Sequence, residues 1–257
     1  FTNYYPEDPE LMTNRVALVT GGTGGIGTEI RKALANNGYR VAASWLAGVD
    51  DGEGWQAKCK QEGFDFAIAE GNVSDFDAAA AMVKEVEAKL GPVEILVNCA
   101  GITKDGFMHK MVKDQWEAVL RVNLDSVFNV TRQVITGMRD RSFGRIINIS
   151  SVNGQKGQIG QTNYSAAKAG MHGFTMALAQ ESARKGITVN TISPGYINTS
   201  MVAAMGEKVV QKMVEQIPVG RLGNPDEIAR VVTFLAADES SFITGANIAI
   251  NGGMHMG

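Results

Sequence analysis

The stretch VALVTGGTGGIG, Val16 to Gly27, decides the architecture. An apolar run, Val16–Thr20, leads straight into a glycine-rich turn, and the turn opens an amphipathic segment. A continuous run of Val, Leu and Ala suits a strand covered on both faces. Glycines let the backbone turn sharply and come close to a ligand. The helix beyond offers N–H groups and a partial positive charge to a pyrophosphate. The glycines Gly21, Gly25 and Gly27 depart from the G-x-G-x-x-G spacing. Such a turn alone fits many strand–helix junctions. Its place after the first strand points to a dinucleotide, held by Gly21, Thr23, Gly24, Gly25, Ile26 and Gly27.

The same alternation continues outward. Apolar runs recur at Arg40–Trp45, Phe64–Glu70, Val93–Asn98, Arg145–Ile149, Thr188–Ser193 and Asn247–Ile250. Helical patterns separate them, among them Asp75–Leu90, Asp114–Met138, Ala166–Lys185 and Pro225–Ala237. Asp75 and Asp114 stand as N-caps, Pro225 follows Asn224 at a helix start, and Gly38, Gly91 and Gly186 stand where helices stop. Alternating strands and helices predict an α/β fold: one Rossmann-type doubly wound parallel sheet of about seven strands, helices on both faces. No linker or repeat divides it, so residues 12–257 read as one domain. The polar, proline-bearing FTNYYPEDPEL, residues 1–11, reads as an appended or disordered extension, with Met12 as the natural start. The least regular section, Tyr196–Arg221, is either a lid over the strand ends or a surface insertion.

Composition removes several function classes. The 24 Lys and Arg against 27 Asp and Glu leave a net charge of −3 with no basic run, which argues against nucleic-acid binding. Cys59, Cys99, His109, His172 and His255 show no metal-ligand spacing. No apolar run is long enough to cross a membrane and no signal peptide is visible, so a cytoplasmic protein is expected.

The second strand bears on which dinucleotide binds. NAD sites place an acid at its end to hold the 2′-hydroxyl, and that acid repels a 2′-phosphate. Here the strand ends at Trp45, which favours NADP(H) while leaving NADH possible. No arginine replaces the acid: Arg40 opens the strand, and the loop beyond carries Asp50 and Asp51. Trp45 either stacks on adenine or packs on the next helix. Asn72 and Val73 end the third strand, and Asn98, Ala100 and Gly101 end the fourth, all at strand ends where such sheets bind ligands.

The chemistry is read from SSVNGQKGQIGQTNYSAAKAG, Ser150–Gly170. Tyr164 and Lys168 lie one helical turn apart on one face. A cation there is expected to lower the tyrosine's pKa. Tyr164 can then give its proton to a carbonyl oxygen as hydride reaches the carbon. Ser151 can polarise the same oxygen.

Together TGGTGGIG, NCAG, VNLDSVFNVT, ISS, YSAAK and SPGYINT resemble the short-chain dehydrogenase/reductase family over Met12–Gly257. The resemblance implies a catalytic tetrad of Asn123, Ser151, Tyr164 and Lys168, with Asn123 holding a water of the proton relay. It implies that Tyr164, Lys168, Pro194, Gly195, Ile197 and Thr199 also meet the nicotinamide half of the cofactor. Cys99 stands where the family often has asparagine, and Asn72 where it often has aspartate. SVNGQKGQIGQTNYS, GFTMALAQE, TVNTISPGYI and NGGMHMG are similar to the branch of polyhydroxyalkanoate synthesis that reduces acetoacetyl-CoA. That similarity implies an NADPH-dependent homotetramer making (R)-3-hydroxybutanoyl-CoA, with Ser151, Gln158, Gln161, Tyr164 and Tyr196 lining the substrate pocket. Ile159 replaces the branch's usual aromatic residue. The alternative within the family is a 3-oxoacyl-carrier-protein reductase, docked through Arg139, Arg141 and Arg145. Gln180 stands where those reductases tend to have arginine. A non-catalytic NADP-binding regulator is the remaining reading.

Overall fold

A computed structural model describes residues 14–21, 24–204 and 206–256, the side chain of Met201 excepted. Thr23 and the segment 1–11 lie outside the described residues.

In chain order the elements are β1 (Val16–Val19), α1 (Gly25–Asn36), β2 (Arg40–Trp45), α2 (Gly52–Gln61), β3 (Ala67–Glu70), α3 (Phe76–Leu90) and β4 (Val93–Asn98). Then come α4 (Lys113–Leu120), a π-helical turn (Arg121–Asp125), α5 (Ser126–Arg141), β5 (Gly144–Ile149), α6 (Val152–Lys156) and α7 (Thr162–Ser182). The chain closes with β6 (Ile187–Pro194), α8 (Ser200–Ala203), α9 (Glu207–Val214), α10 (Pro225–Ala236) and β7 (Asn247–Ile250). The strands form one 7-stranded parallel sheet in the order β3-β2-β1-β4-β5-β6-β7. The order reverses between β1 and β4, and a crevice opens outside the strand ends at such a point.

Each strand feeds two cores, which is why its sequence does not alternate in polarity. In β1, Val16 and Leu18 face Met82, Val86, Val130 and Met138 on α3 and α5. Ala17 and Val19 face Ile30, Leu34, Ile228 and Val232 on α1 and α10. Side-chain amides and carboxylates set the helix starts. Asp75 accepts from the Ala78 N–H at 2.8 Å, and Glu227 accepts from the Asn224 N–H at 2.7 Å.

The expected helix Asp114–Met138 contains a feature its periodicity hides. It begins at Lys113, where Gln115, not Asp114, caps by accepting from the Val112 N–H. One π-helical turn then joins α4 to α5 without a break. Such turns concentrate at functional sites, and Asn123 sits inside this one. The section Tyr196–Arg221 holds α8 and α9, and its ends are joined. Gly223 N–H donates to Tyr196 O, and Asn198 N–H to Gly223 O.

Candidate active site

A cleft of about 580 Å³ lies at the carboxyl ends of the strands, where the sheet order reverses. Its floor is the β1–α1 turn. Gly21 has φ +99°, and a Cβ there would stand 2.8 Å from Ala100 N and Cys99 C. Only glycine lets the first turn seat against the turn after β4. Thr20 fixes that contact, because its hydroxyl oxygen accepts from the Cys99 and Ala100 N–H groups at 3.1 and 3.3 Å. Gly24, Gly25, Ile26 and Gly27 line the cleft, and Gly24 at the N-cap carries no capping side chain. The first N–H groups of α1 are thus left for a ligand's pyrophosphate, as a dinucleotide requires.

Most strand-end residues expected at the cofactor also reach the cleft: Trp45, Asn72, Val73, Ala100, Gly101, Pro194, Gly195, Ile197 and Thr199. Thr199 lies over the glycine turn, its Cγ2 3.4 Å from where a Gly25 Cβ would stand. Asn98 does not reach it. Its amide is spent inside the sheet, donating to Asn148 Oδ1 at 2.9 Å and Thr131 Oγ1 at 3.3 Å. Trp45 also packs on the next helix, since a Cβ on Gly52 would come 2.3 Å from its ring.

The four expected catalytic side chains converge at the other end. Ser151 is the N-cap of α6. Its Oγ accepts from the Asn153 N–H at 3.1 Å, which leaves its own proton for a partner in the cleft. Tyr164 lines the cleft beside it and hydrogen-bonds Ser151. Lys168 is buried and donates to Ile149 O at 2.8 Å, with its ammonium 5.6 Å from the Tyr164 ring centre. Ser150 ties the same residue's backbone, donating to Lys168 O at 2.8 Å. Asn123, fully buried in the π turn, donates to Ile102 O and Val119 O at 2.9 and 2.8 Å. Its Oδ1 has no hydrogen-bond partner and faces Gly101, where a Cβ would stand 2.6 Å from that oxygen and 3.4 Å from Lys168 Nζ. A buried amide oxygen left open this way fits a ligand or water that completes it.

The electrostatics differ from expectation. Burial pushes the Tyr164 hydroxyl up to about 12, with the Ser151 hydrogen bond pulling the other way. Burial also brings the Lys168 ammonium down to about 8. Desolvation dominates both groups, and the expected lowering of the tyrosine by Lys168 is not seen in this state.

On the substrate side Gln161 and Tyr196 line the cleft, and Gln158 does not. Gln161 bridges two loops: it accepts from Asn153 at 2.9 Å and donates to Asp105 at 3.0 Å. Gln158 instead accepts from Lys156 at 3.1 Å, and Ile159 is 81% exposed. The three arginines expected as a docking patch serve the fold. Arg145 is buried and donates to Ala237, Gly144 and Gly186 carbonyls. Arg141 donates to Val93 O and Arg139 to Glu181 O. Sequence reasoning missed Leu46, Ile102, Thr103, Asn153 and Val202 on the cleft wall, and had Asp50 only as an acid of the loop after β2. The other five carried no signal.

Comparison with known proteins agrees with this geometry. The family model for short chain dehydrogenases matches residues 15–210. An acetoacetyl-CoA reductase of Allochromatium vinosum is 58% identical over 94% of this chain and 99% of its own. One from Shinella zoogloeoides is 60% identical over 93% and 98%. A 3-oxoacyl-[acyl-carrier-protein] reductase of Staphylococcus aureus is 42% identical over 96% and 100%.

Proposed function

The chain belongs to the short-chain dehydrogenase family, and on that premise we propose that it reduces acetoacetyl-CoA to (R)-3-hydroxybutanoyl-CoA. The observation that carries the reading is the convergence of Ser151, Tyr164, Lys168 and Asn123 at one end of a glycine-floored cleft. The identities of 58% and 60% to acetoacetyl-CoA reductases, against 42% to a carrier-protein reductase, support the thioester chosen. The carrier-protein reading loses one of its three docking arginines with the burial of Arg145, while Arg139 and Arg141 keep surface exposure. Placing the product in polyhydroxybutyrate synthesis is part of this proposal and rests on the resemblance of the sequence motifs.

A nicotinamide dinucleotide along the glycine wall supplies the hydride. The protein's own residues handle the oxygen. Ser151 turns its O–H from Tyr164 to the ketone oxygen, and Tyr164 gives up the proton that turns the developing alkoxide into a hydroxyl. The tyrosine is left as a phenolate, and the buried Lys168 cation, 5.6 Å from its ring centre, stabilises it. Asn123 holds the far side of Lys168's surroundings, with its open Oδ1 turned toward Gly101. Gln161, already fixed at both ends of its amide, gives the acyl pocket a rigid polar wall. The segment from Tyr196 to Arg221 acts as a lid, since its Thr199 lies over the glycine turn.

The enzyme is a cytoplasmic homotetramer in this reading. Exposed Phe107, Phe128 and Phe242 are the apolar surface such an assembly covers. No described helix is long and apolar enough to cross a membrane. Steady-state reduction of acetoacetyl-CoA and acetoacetyl-carrier protein, each with NADPH (the cofactor expected from the sequence) and NADH, tests the proposal. A higher kcat/KM for the carrier-protein substrate overturns it, and light scattering that finds a monomer overturns the assembly.

A further inference from the structure

The end of the cleft away from Tyr164 is closed by the turn that follows β2. Its backbone folds on itself: the Val49 and Asp50 N–H groups donate to Leu46 O at 3.1 and 2.9 Å. The Asp50 carboxylate then swings back over the strand end, where its Oδ2 accepts from the Leu46 N–H at 3.3 Å. Trp45, Leu46, Val49 and Asp50 all line the cleft. Asp51 points elsewhere, capping α2 by accepting from the Gly54 N–H at 2.9 Å. Sequence adjacency therefore conceals a division of labour: one aspartate is spent on a helix and its neighbour faces the site.

We propose that Asp50 occupies the place of the acid that strand β2 lacks at Trp45, and that it turns the cofactor preference of this cleft toward NADH and against NADPH. The inference rests on the reading of the cleft as a nicotinamide dinucleotide site. A ribose 2′-hydroxyl there donates to the carboxylate; a 2′-phosphate meets like charge. One cation lies behind the wall: Arg31 feels the Asp50 charge, and its guanidinium stands 3.3 Å from where a Gly27 Cβ would be, but it does not line the cleft. Among the described residues lining the cleft, Asp50 and Lys168 are the only charged ones, and Lys168 belongs to the catalytic end. The nearby Arg31 is turned into the protein: it is 0% exposed, donates to Val19 O at 2.9 Å and lies over the Trp55 ring. Arg40 sits at the opposite end of its strand.

The test is a binding measurement on the full chain, independent of turnover. Calorimetry is run with NADH, NADPH, 5′-AMP and adenosine 2′,5′-bisphosphate. The native chain is expected to bind NADH at least about tenfold tighter than NADPH, and 5′-AMP tighter than the bisphosphate by a similar factor. Asp50→Arg is expected to invert both ratios, and Asp50→Asn, the variant less able to disturb folding, to bring them within about threefold of unity. Equal or tighter binding of NADPH by the native chain overturns the inference, as do ratios that neither variant moves. If neither dinucleotide binds, the reading of the cleft itself falls. If both bind but acetoacetyl-CoA is not reduced, the proposed reaction falls and the cofactor inference is judged on the ratios alone.

Discussion

At the catalytic end of the cleft, polar side chains are held from far along the chain: Lys168 by the Ile149 carbonyl, Asn123 by Ile102, Gln161 by Asp105. At the other end, the Leu46–Asp50 turn closes mainly on its own backbone and one local carboxylate, with Trp45 before it tied to Gly71 at 3.0 Å. The proposed chemistry thus rests on contacts distant in sequence, and the proposed discrimination between cofactors rests mostly on contacts within one short turn. Changes at the first end should remove activity. Changes at the second should redirect it and leave the sheet intact.

The largest effect is expected from Tyr164→Phe. Losing the proton donor should lower acetoacetyl-CoA reduction by about a thousandfold or more, with dinucleotide affinity nearly unchanged by calorimetry. A variant keeping most of its kcat breaks the assignment of the tetrad. Gly101→Ala should come next. Its Cβ would press within 2.6 Å of Asn123 Oδ1, so overpacking should cost about 1–3 kcal/mol in denaturant unfolding, and kcat should fall with it.

The third test is pH. Burial brings Lys168 from 10.5 to about 8, so its cation is present below that value and lost above it. Tyr164, raised to about 12, stays protonated throughout this range. Reduction in kcat/KM should therefore fall about tenfold per pH unit above 8. Lys168→Arg should lack that limb. The same shift has a stability consequence of opposite sign. Between pH 8 and 10.5 the unfolded chain holds a proton that the folded one has released, so Lys168's contribution to stability rises across that window. Denaturant melts of the native chain and Lys168→Met should converge as pH climbs through it. The smallest effect separates the two glutamines. Gln161→Ala removes two hydrogen bonds between loops, each worth about 1 kcal/mol, and should raise KM for acetoacetyl-CoA several-fold. Gln158→Ala, outside the cleft, should leave it nearly unchanged.

The sheet was legible because it writes itself into local pattern, and so was the pairing of Tyr164 and Lys168 on one helix face. β2, β4 and β7 begin and end where their apolar runs do. The Tyr164–Lys168 spacing states its own geometry on a helix. What stayed hidden depends on contacts distant in sequence. The π turn around Asn123 has the same composition as an ordinary helix. Asn98 and Gln158 are polar and placed at loop or strand ends, yet their partners, Asn148 and Lys156, take them out of the cleft. Arg145 looked like surface charge until the carbonyls of Ala237 and Gly186 came around it. The tyrosine's ionisation was misjudged for a related reason: sequence spacing reveals a neighbouring charge but not how much water both groups have lost.

The joined neck of the excursion between Tyr196 and Gly223 has one further consequence. The two ends are pinned to each other by backbone hydrogen bonds, and the chain between them is tied a second time where the Val219 N–H donates to Gly252 O at 3.1 Å. Lengthening such a loop adds little closure cost, since the entropy grows only with the logarithm of length. A change of length between these two ties should therefore leave β6 and α10 on either side in their places.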